Sequence, residues 1–447
     1  MEILLTVLYF LLLCLALKKL PFFRDVKGLG RDFLLWVFVL KVLAGFVLIG
    51  VYTWYYDLAI ADFHKYYRDG MVMYEALREN PADYLLMLSG IGAKSEHLSV
   101  YYNEMNYWYR AWESPVYNDN RVVIRFNAFA GLFSFGYLGV HNILINFLSL
   151  SGLVALYKFL VRYSSTEKLF WLPWGVFLFP SLLFWGSGIL KEGLLIWAFG
   201  FWVLQADNII GRKKISVQGV LSFAFFSLMM FLLKPYTLLF WLPCMAAFYL
   251  TPKNGWLRIQ VAYAGILALL VVLALGLGWL YPQLNIVELI VRKQNDFVNH
   301  VMALDAGSII HSRYIEPGLG NLIVEFLRGL LYAFFRPHPL DASSVFIWIA
   351  VFENIIIWAM MVYAIRFFDR KTLLDYPVVW LSIWFAILLM GFVGMITPVF
   401  GAIVRYKIPA LPFLWVFWVH AVHLPGNQQI KSFTQRKWLA RLNLFPL

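Results

Sequence analysis

Residues 376–397 read YPVVWLSIWFAILLMGFVGMIT, an unbroken run without a charged side chain. Coiled as an α-helix, a run of this length reaches about 33 Å, enough to cross a hydrocarbon core of about 30 Å. A backbone in lipid must satisfy its own hydrogen bonds, so the stretch is read as a transmembrane helix. Similar runs recur along the chain at 3–17, 33–51, 141–160, 170–185, 188–206, 217–233, 235–250, 259–280, 344–366 and 407–423. The expected fold class is an all-α polytopic membrane protein with about eleven transmembrane helices and additional amphipathic interfacial helices.

Composition agrees with that reading. The 447 residues are 62% hydrophobic and 19% aromatic, with 14% charged. A soluble globular protein carries about 25% charged residues, so an ordinary cytoplasmic enzyme is excluded. The formal charge of +12 does not point to nucleic acid, because the basic residues concentrate in short loops between apolar runs, as topology determinants do. Cys14 and Cys244 fall within apolar segments and form neither a disulfide framework nor a metal motif. The first run has Glu2 in front and no small-residue cleavage signal behind, so it reads as a helix rather than a removable leader.

Lysine and arginine in short loops mark the cytoplasmic side. Lys18 to Arg31, Arg162 with Lys168, Arg212 to Lys214, Lys253 with Arg258, and Arg366 to Lys371 all fall on one side of the eleven-span count. Residues 1–425 then form a single transmembrane domain with external loops at about 52–125 and 281–343. The basic stretch 426–447 follows as a cytoplasmic interfacial tail drawn to anionic membrane lipid.

The first long loop has helical periodicity. Phe63, Tyr66, Tyr67, Met71, Tyr74 and Leu77 make one stripe, ended before Pro81, and Tyr101, Glu104, Met105, Trp108 and Trp112 make another, ended by Pro115 and the turn formers Asn118, Asp119 and Asn120. Both are expected to lie flat on the membrane. Residues 125–138, interrupted by Gly131 and Gly136, are not expected to cross it. The second long loop, with Asp296, His300, Asp305 and His311, has no recognisable metal-ligand spacing, and its glycines suit a lid.

The candidate chemistry gathers on the external side. Asp57 and Asp62 are the carboxylates nearest the membrane there, and either could deprotonate a hydroxyl acceptor. Asp62 equally suits a helix N-cap. His64, Tyr66 and Arg68 share or border its face. Lys191 and Glu192 follow a Gly-Ser-Gly turn, Lys234 precedes Pro235, and Arg405 and Lys407 stand in RYKIPALP, so cations rim several outer turns where a phosphate would neutralise them. Arg336 and His338 in FFRPHPL extend the rim, although snorkelling would also explain exposed cations. Asn142, Asn146 and Ser149 near His141 suit interhelical glue, and Glu353 with Asn354 lies deep in a predicted crossing.

Three stretches, ADFHKYYRDG from residue 61, PSLLFWGSGILKEG from 180 and RYKIPALPFL from 405, carry a resemblance. With the external acidic residue near the start of a long loop and many later crossings, the chain resembles the GT-C superfamily of polytopic membrane glycosyltransferases of the bacterial envelope. The resemblance implies a GT-C-like fold in the bacterial cytoplasmic membrane, with an extracytoplasmic active face. It also implies an inverting transfer from a polyprenyl-phosphate or polyprenyl-diphosphate sugar to a glycan, lipid or protein acceptor. Asp62 would be the base, and Lys191, Arg405 and Lys407 would hold the donor phosphate. No cofactor follows directly; a second acidic residue beside Asp62, which some relatives carry, is missing, so a divalent metal stays an open alternative. Two other readings stand beside this one: a polymerase or ligase of undecaprenyl-diphosphate-linked glycans, and a lipid or glycan transporter centred on Glu353.

Overall fold

The computed structural model describes residues 1–56, 62–109, 117–250, 256–303, 308–310, 313–369 and 376–424. Among them the chain is all α-helical; only two isolated bridges, Ile309 with Val399 and Phe368 with Val422, have β geometry. The protein is a multi-pass membrane protein. Seven helices among the described residues are long and apolar enough to span a bilayer: Phe33–Trp54, Leu138–Arg162, Lys191–Gly211, Ile259–Leu280, Val345–Arg366, Pro377–Ile396 and Phe400–Ala421. Two shorter apolar helices, Val217–Leu233 and Pro235–Leu250, lie where two more crossings were expected.

The differences from the expected eleven have local causes. Residues 170–185 are not one helix but two short ones, Leu172–Phe177 and Pro180–Trp185. Pro180 lacks an N–H and disfavours helical backbone at the preceding residue, so the helix cannot run through. The next long helix starts only at Lys191, leaving Gly186–Leu190 as a buried turn. The first helix, Glu2–Lys19, carries Glu2, Lys18 and Lys19 at its ends, which sets it apart from the seven.

The described residues divide into two compact units. One comprises Met1–Phe159 and Leu182–Pro235. Within it the helices Leu138–Arg162 and Lys191–Ala206 cross at Gly152 and Gly200, where a Cβ on Gly200 would overlap the Gly152 carbonyl. Small residues let helices approach this closely in membranes. Helix Asp62–Glu79 packs on helix Asn120–Ser134, with Gly70 against Asn127 and Gly131 against Tyr74. Of the expected stripe, Phe63 and Tyr66 are buried by protein, and Tyr67, Met71, Tyr74 and Leu77 are half-buried. The expected second stripe is helical only over Ser99–Glu104; Met105 and Trp108 are buried in bends beyond it, and Trp112 lies outside the described residues.

The other unit comprises Leu160–Ser181 and the described residues from Tyr236 onward. Its 281–343 region, expected as a lid, contains helices Ile286–Ala303 and Leu319–Phe335. The second packs on Pro377–Ile396 with Gly329 against Gly391 and Gly394, while Ile323, Leu327 and Leu331 remain exposed. A face of that kind suits lipid.

Candidate functional site

In the first unit, Asp62 is the first residue of helix Asp62–Glu79, where the positive end of the helix dipole favours a carboxylate. Its Oδ1 accepts a hydrogen bond from the Tyr107 hydroxyl at 2.9 Å. Burial, and then the charge and hydrogen bond of Asp62, push the Tyr107 pKa far up, so the phenol stays a proton donor. Tyr107 is itself held by Asp69. That buried carboxylate accepts from the backbone N–H of Tyr107 at 2.7 Å, and from the backbone and side chain of Asn106 at 2.8 and 3.0 Å. Burial raises the Asp69 pKa against the lowering effect of these three donors.

Rings connect this pair to the cations. The Tyr66 ring lies 5.4 Å from the Tyr107 ring, and Lys191 Nζ lies 5.6 Å from the Tyr66 ring centre. The Tyr66 hydroxyl donates to Asn120 Oδ1 at 3.1 Å, next to Asp119. One Asp119 oxygen, Oδ2, receives Lys191 Nζ at 2.9 Å and Lys234 Nζ at 3.9 Å. Lys65 Nζ stands 4.6 Å from the Tyr107 ring centre. One base candidate and three ammonium groups thus belong to a single contact network.

The turn before Lys191 is fixed from inside the bundle. Lys41, fully buried in helix Phe33–Trp54, donates to the Gly186 carbonyl at 2.9 Å and to Ser187 Oγ at 3.1 Å. Asn146 Nδ2 donates to the Ser187 carbonyl at 2.9 Å. Asn142 Nδ2 donates to the Val42 carbonyl at 3.3 Å, and His141 sits between Asn127 Oδ1 at 2.9 Å and Ser134 Oγ at 2.6 Å. These contacts are the interhelical glue expected of the asparagines.

The remaining predicted residues separate from this network in informative ways. His64 Nε2 pairs with Thr53 Oγ1 at 3.1 Å, and burial, with the Arg68 charge, lowers its pKa; Arg68 is exposed. Glu192 is buried in the first turn of its helix. Arg336, Arg405, Lys407 and His338 belong to the second unit. Lys407 is not a rim residue: it is 0% exposed, 3.6 Å from the equally buried Glu353 and 2.8 Å from Asn354 Oδ1. Glu353 Oε2 also accepts from the Ser181 backbone N–H at 2.7 Å, at the start of the short helix Pro180–Trp185. Arg336 forks onto Asp341 at 2.5 and 3.0 Å, and His338 lies 3.3 Å from the same carboxylate. Arg405 is partly buried near the end of its helix. Asp57, Asp305 and His311 lie outside the described residues, as does the 426–447 tail. Among the described residues no three His, Cys, Asp or Glu side chains gather as a metal-ligand set.

Asp119, Tyr107 and Lys65 were missed in the sequence. Asp119 sits in YNDN, a turn signal that hides a second role, and nothing local announces its pairing with Lys191. No family model, curated protein or solved structure matches this chain.

Proposed function

We propose that the protein is an inverting membrane glycosyltransferase using a polyprenyl-phosphate-linked sugar, its active face on the extracytoplasmic side of the bacterial cytoplasmic membrane. The observation that carries this reading is the convergence of Lys191 and Lys234 on Asp119, one chain of ring contacts away from Asp62. Asp119 takes the place that the donor phosphate would take, and the phosphate displaces it. Asp62 accepts the proton of an acceptor hydroxyl. The oxygen attacks the anomeric carbon from the face opposite the phosphate, the carbon–oxygen bond to phosphate breaks, and its electron pair stays on the phosphate oxygen beside the two ammonium groups. Tyr107 and Tyr66 orient the carboxylate and the sugar. Lys407 is fully buried against Glu353 and Arg336 is forked by Asp341, so the donor-binding role is assigned to Lys191 and Lys234, the cations in contact with the Asp62 network.

The test is transfer of a labelled sugar from a polyprenyl-phosphate donor by the purified chain in nanodiscs. Asp62→Asn is expected to lower turnover by about 10² to 10⁴, the usual worth of a general base, without loss of folded protein. Lys191→Gln with Lys234→Gln should raise the donor KM. Wild-type turnover by the Asp62 variant overturns the assignment of the base.

A further inference from the structure

Beside the Asp62 network the first unit carries a second cationic group that the transfer chemistry does not use. Arg121 and Arg125 stand one turn apart on helix Asn120–Ser134, and both stack on Trp108, with guanidinium carbons 4.6 and 5.1 Å from the ring centre. Their hydrogen-bond partners are neutral. Arg121 Nε donates to the Trp108 carbonyl at 3.0 Å, Arg125 Nε to the Met87 carbonyl at 2.9 Å, and Arg125 Nη1 to the Tyr117 hydroxyl at 2.7 Å. Neither guanidinium has a carboxylate partner among the described residues, unlike Arg336 and Arg328 in the other unit. Like charges one helical turn apart repel each other, and the Arg121 pKa is lowered by burial and by Arg125.

Trp108 is also stacked by Tyr102, with ring centres 4.1 Å apart. The Tyr102 hydroxyl is buried and has no hydrogen-bond partner among the described residues, although both arginines are close enough to lower its pKa against the raising effect of burial. Tyr109, edge-on to Tyr102 at 6.5 Å, is exposed. Two guanidiniums without a counter-charge among the described residues, a buried hydroxyl and an exposed ring together ask for an oxyanion carried on a group that can stack. Paired guanidiniums suit carboxylate and phosphate because their planar forks match the oxygen spacing.

We infer that Arg121, Arg125 and Tyr102 form a binding site for an anionic group, carboxylate or phosphate, on the glycosyl acceptor. The inference rests on the proposed transfer for the word acceptor, but the site itself stands on its own geometry. Trp108 follows Tyr107 directly, and Asn118 Nδ2 donates to both of their carbonyls at 3.0 Å. An acceptor anchored here therefore has its anchor built into the same loop that presents Tyr107 to Asp62.

The test is direct binding to the full chain in nanodiscs, followed by thermal unfolding during titration with sodium glucuronate, inorganic phosphate or glucose at constant ionic strength. Glucuronate, phosphate or both should raise Tm in a saturable way, and glucose should not; the two anions distinguish a carboxylate-bearing from a phosphate-bearing acceptor. Arg121→Gln with Arg125→Gln should abolish the glucuronate shift, and also the phosphate shift when it is read in the Lys191→Gln, Lys234→Gln background, which by itself should leave the glucuronate shift intact. Should the glutamine pair not fold, Arg121→Lys with Arg125→Lys retains the charge and ring contact but loses the fork, and is expected to weaken binding at least fivefold. An absent saturable shift in the wild type overturns the site, as does an unchanged shift in the variant that folds. Neither outcome touches the transfer reading, which is measured by turnover. Normal anion binding with no sugar transfer would instead sink the transfer reading and leave the site standing.

Discussion

Asp62 is oriented by a phenol that burial keeps protonated. Hydrogen bonds to charged groups contribute about 1.5 to 3 kcal/mol, so Tyr107→Phe is expected to lower turnover roughly tenfold or more with the donor KM unchanged. An unchanged turnover number would show that Asp62 needs no such partner. Glu353 and Lys407 make a different case, because both are fully buried. Removing one partner leaves an uncompensated charge, at a cost of about 3 to 5 kcal/mol. Glu353→Gln should lower the unfolding midpoint sharply, and adding Lys407→Met should restore much of it; a transport pathway through Glu353 would instead leave stability nearly unaltered and remove flux. His64 supplies a pH test. Its pKa is below the ordinary value in the folded state, so its contribution is complete above about pH 6.5 and is lost as pH falls through the folded pKa. The wild-type Tm should therefore drop below pH 6.5 more steeply than that of His64→Gln. At this scale the residue types were legible: Asp62, Lys191 and Lys234 stand out because charges beside apolar runs are costly. Their partners were not, since Asp119 and Tyr107 become neighbours only through packing between distant segments.

Elements were legible where the apolar run was long. Pro377–Ile396 follows the 376–397 reading almost to the residue. The 170–185 run was over-read, because Pro180 divides it and leaves the turn that Lys41 holds, whereas 235–250 stays one helix through Pro243. Helix Leu319–Phe335 was hidden for the opposite reason. Glu325 and Arg328 interrupt its hydropathy, yet they form an ion pair of 2.5 Å while Gly329 seats the helix on Gly391 and Gly394. That crossing is backbone against backbone, so Gly394→Ala must push the helices apart. Overpacking costs about 1 to 3 kcal/mol, and Gly320→Ala, which meets open space, is the control expected to change little in a detergent-resistance assay.

At the scale of the molecule, a chain with seven long apolar helices among its described residues and many exposed aliphatic side chains on them belongs in a bilayer. Its orientation is a separate matter, resting on the basic loops. In a background with Cys14→Ser and Cys244→Ser, Glu96→Cys is expected to react with a membrane-impermeant maleimide in intact bacteria. Lys213→Cys should react only after permeabilisation; labelling of Lys213→Cys from outside with Glu96→Cys protected would reverse the assigned face. The buried turn that Lys41 supports has a consequence for how the protein is made. The lysine and its carbonyl partner are 145 residues apart, and at about 5 to 20 residues per second the ribosome needs roughly 7 to 30 s to supply that partner. Through that interval the first helices emerge with an ammonium group that lipid penalises by about 3 kcal/mol. Biogenesis therefore favours holding them beside the insertion machinery, with release into the bilayer only after the Gly-Ser-Gly segment has been synthesised.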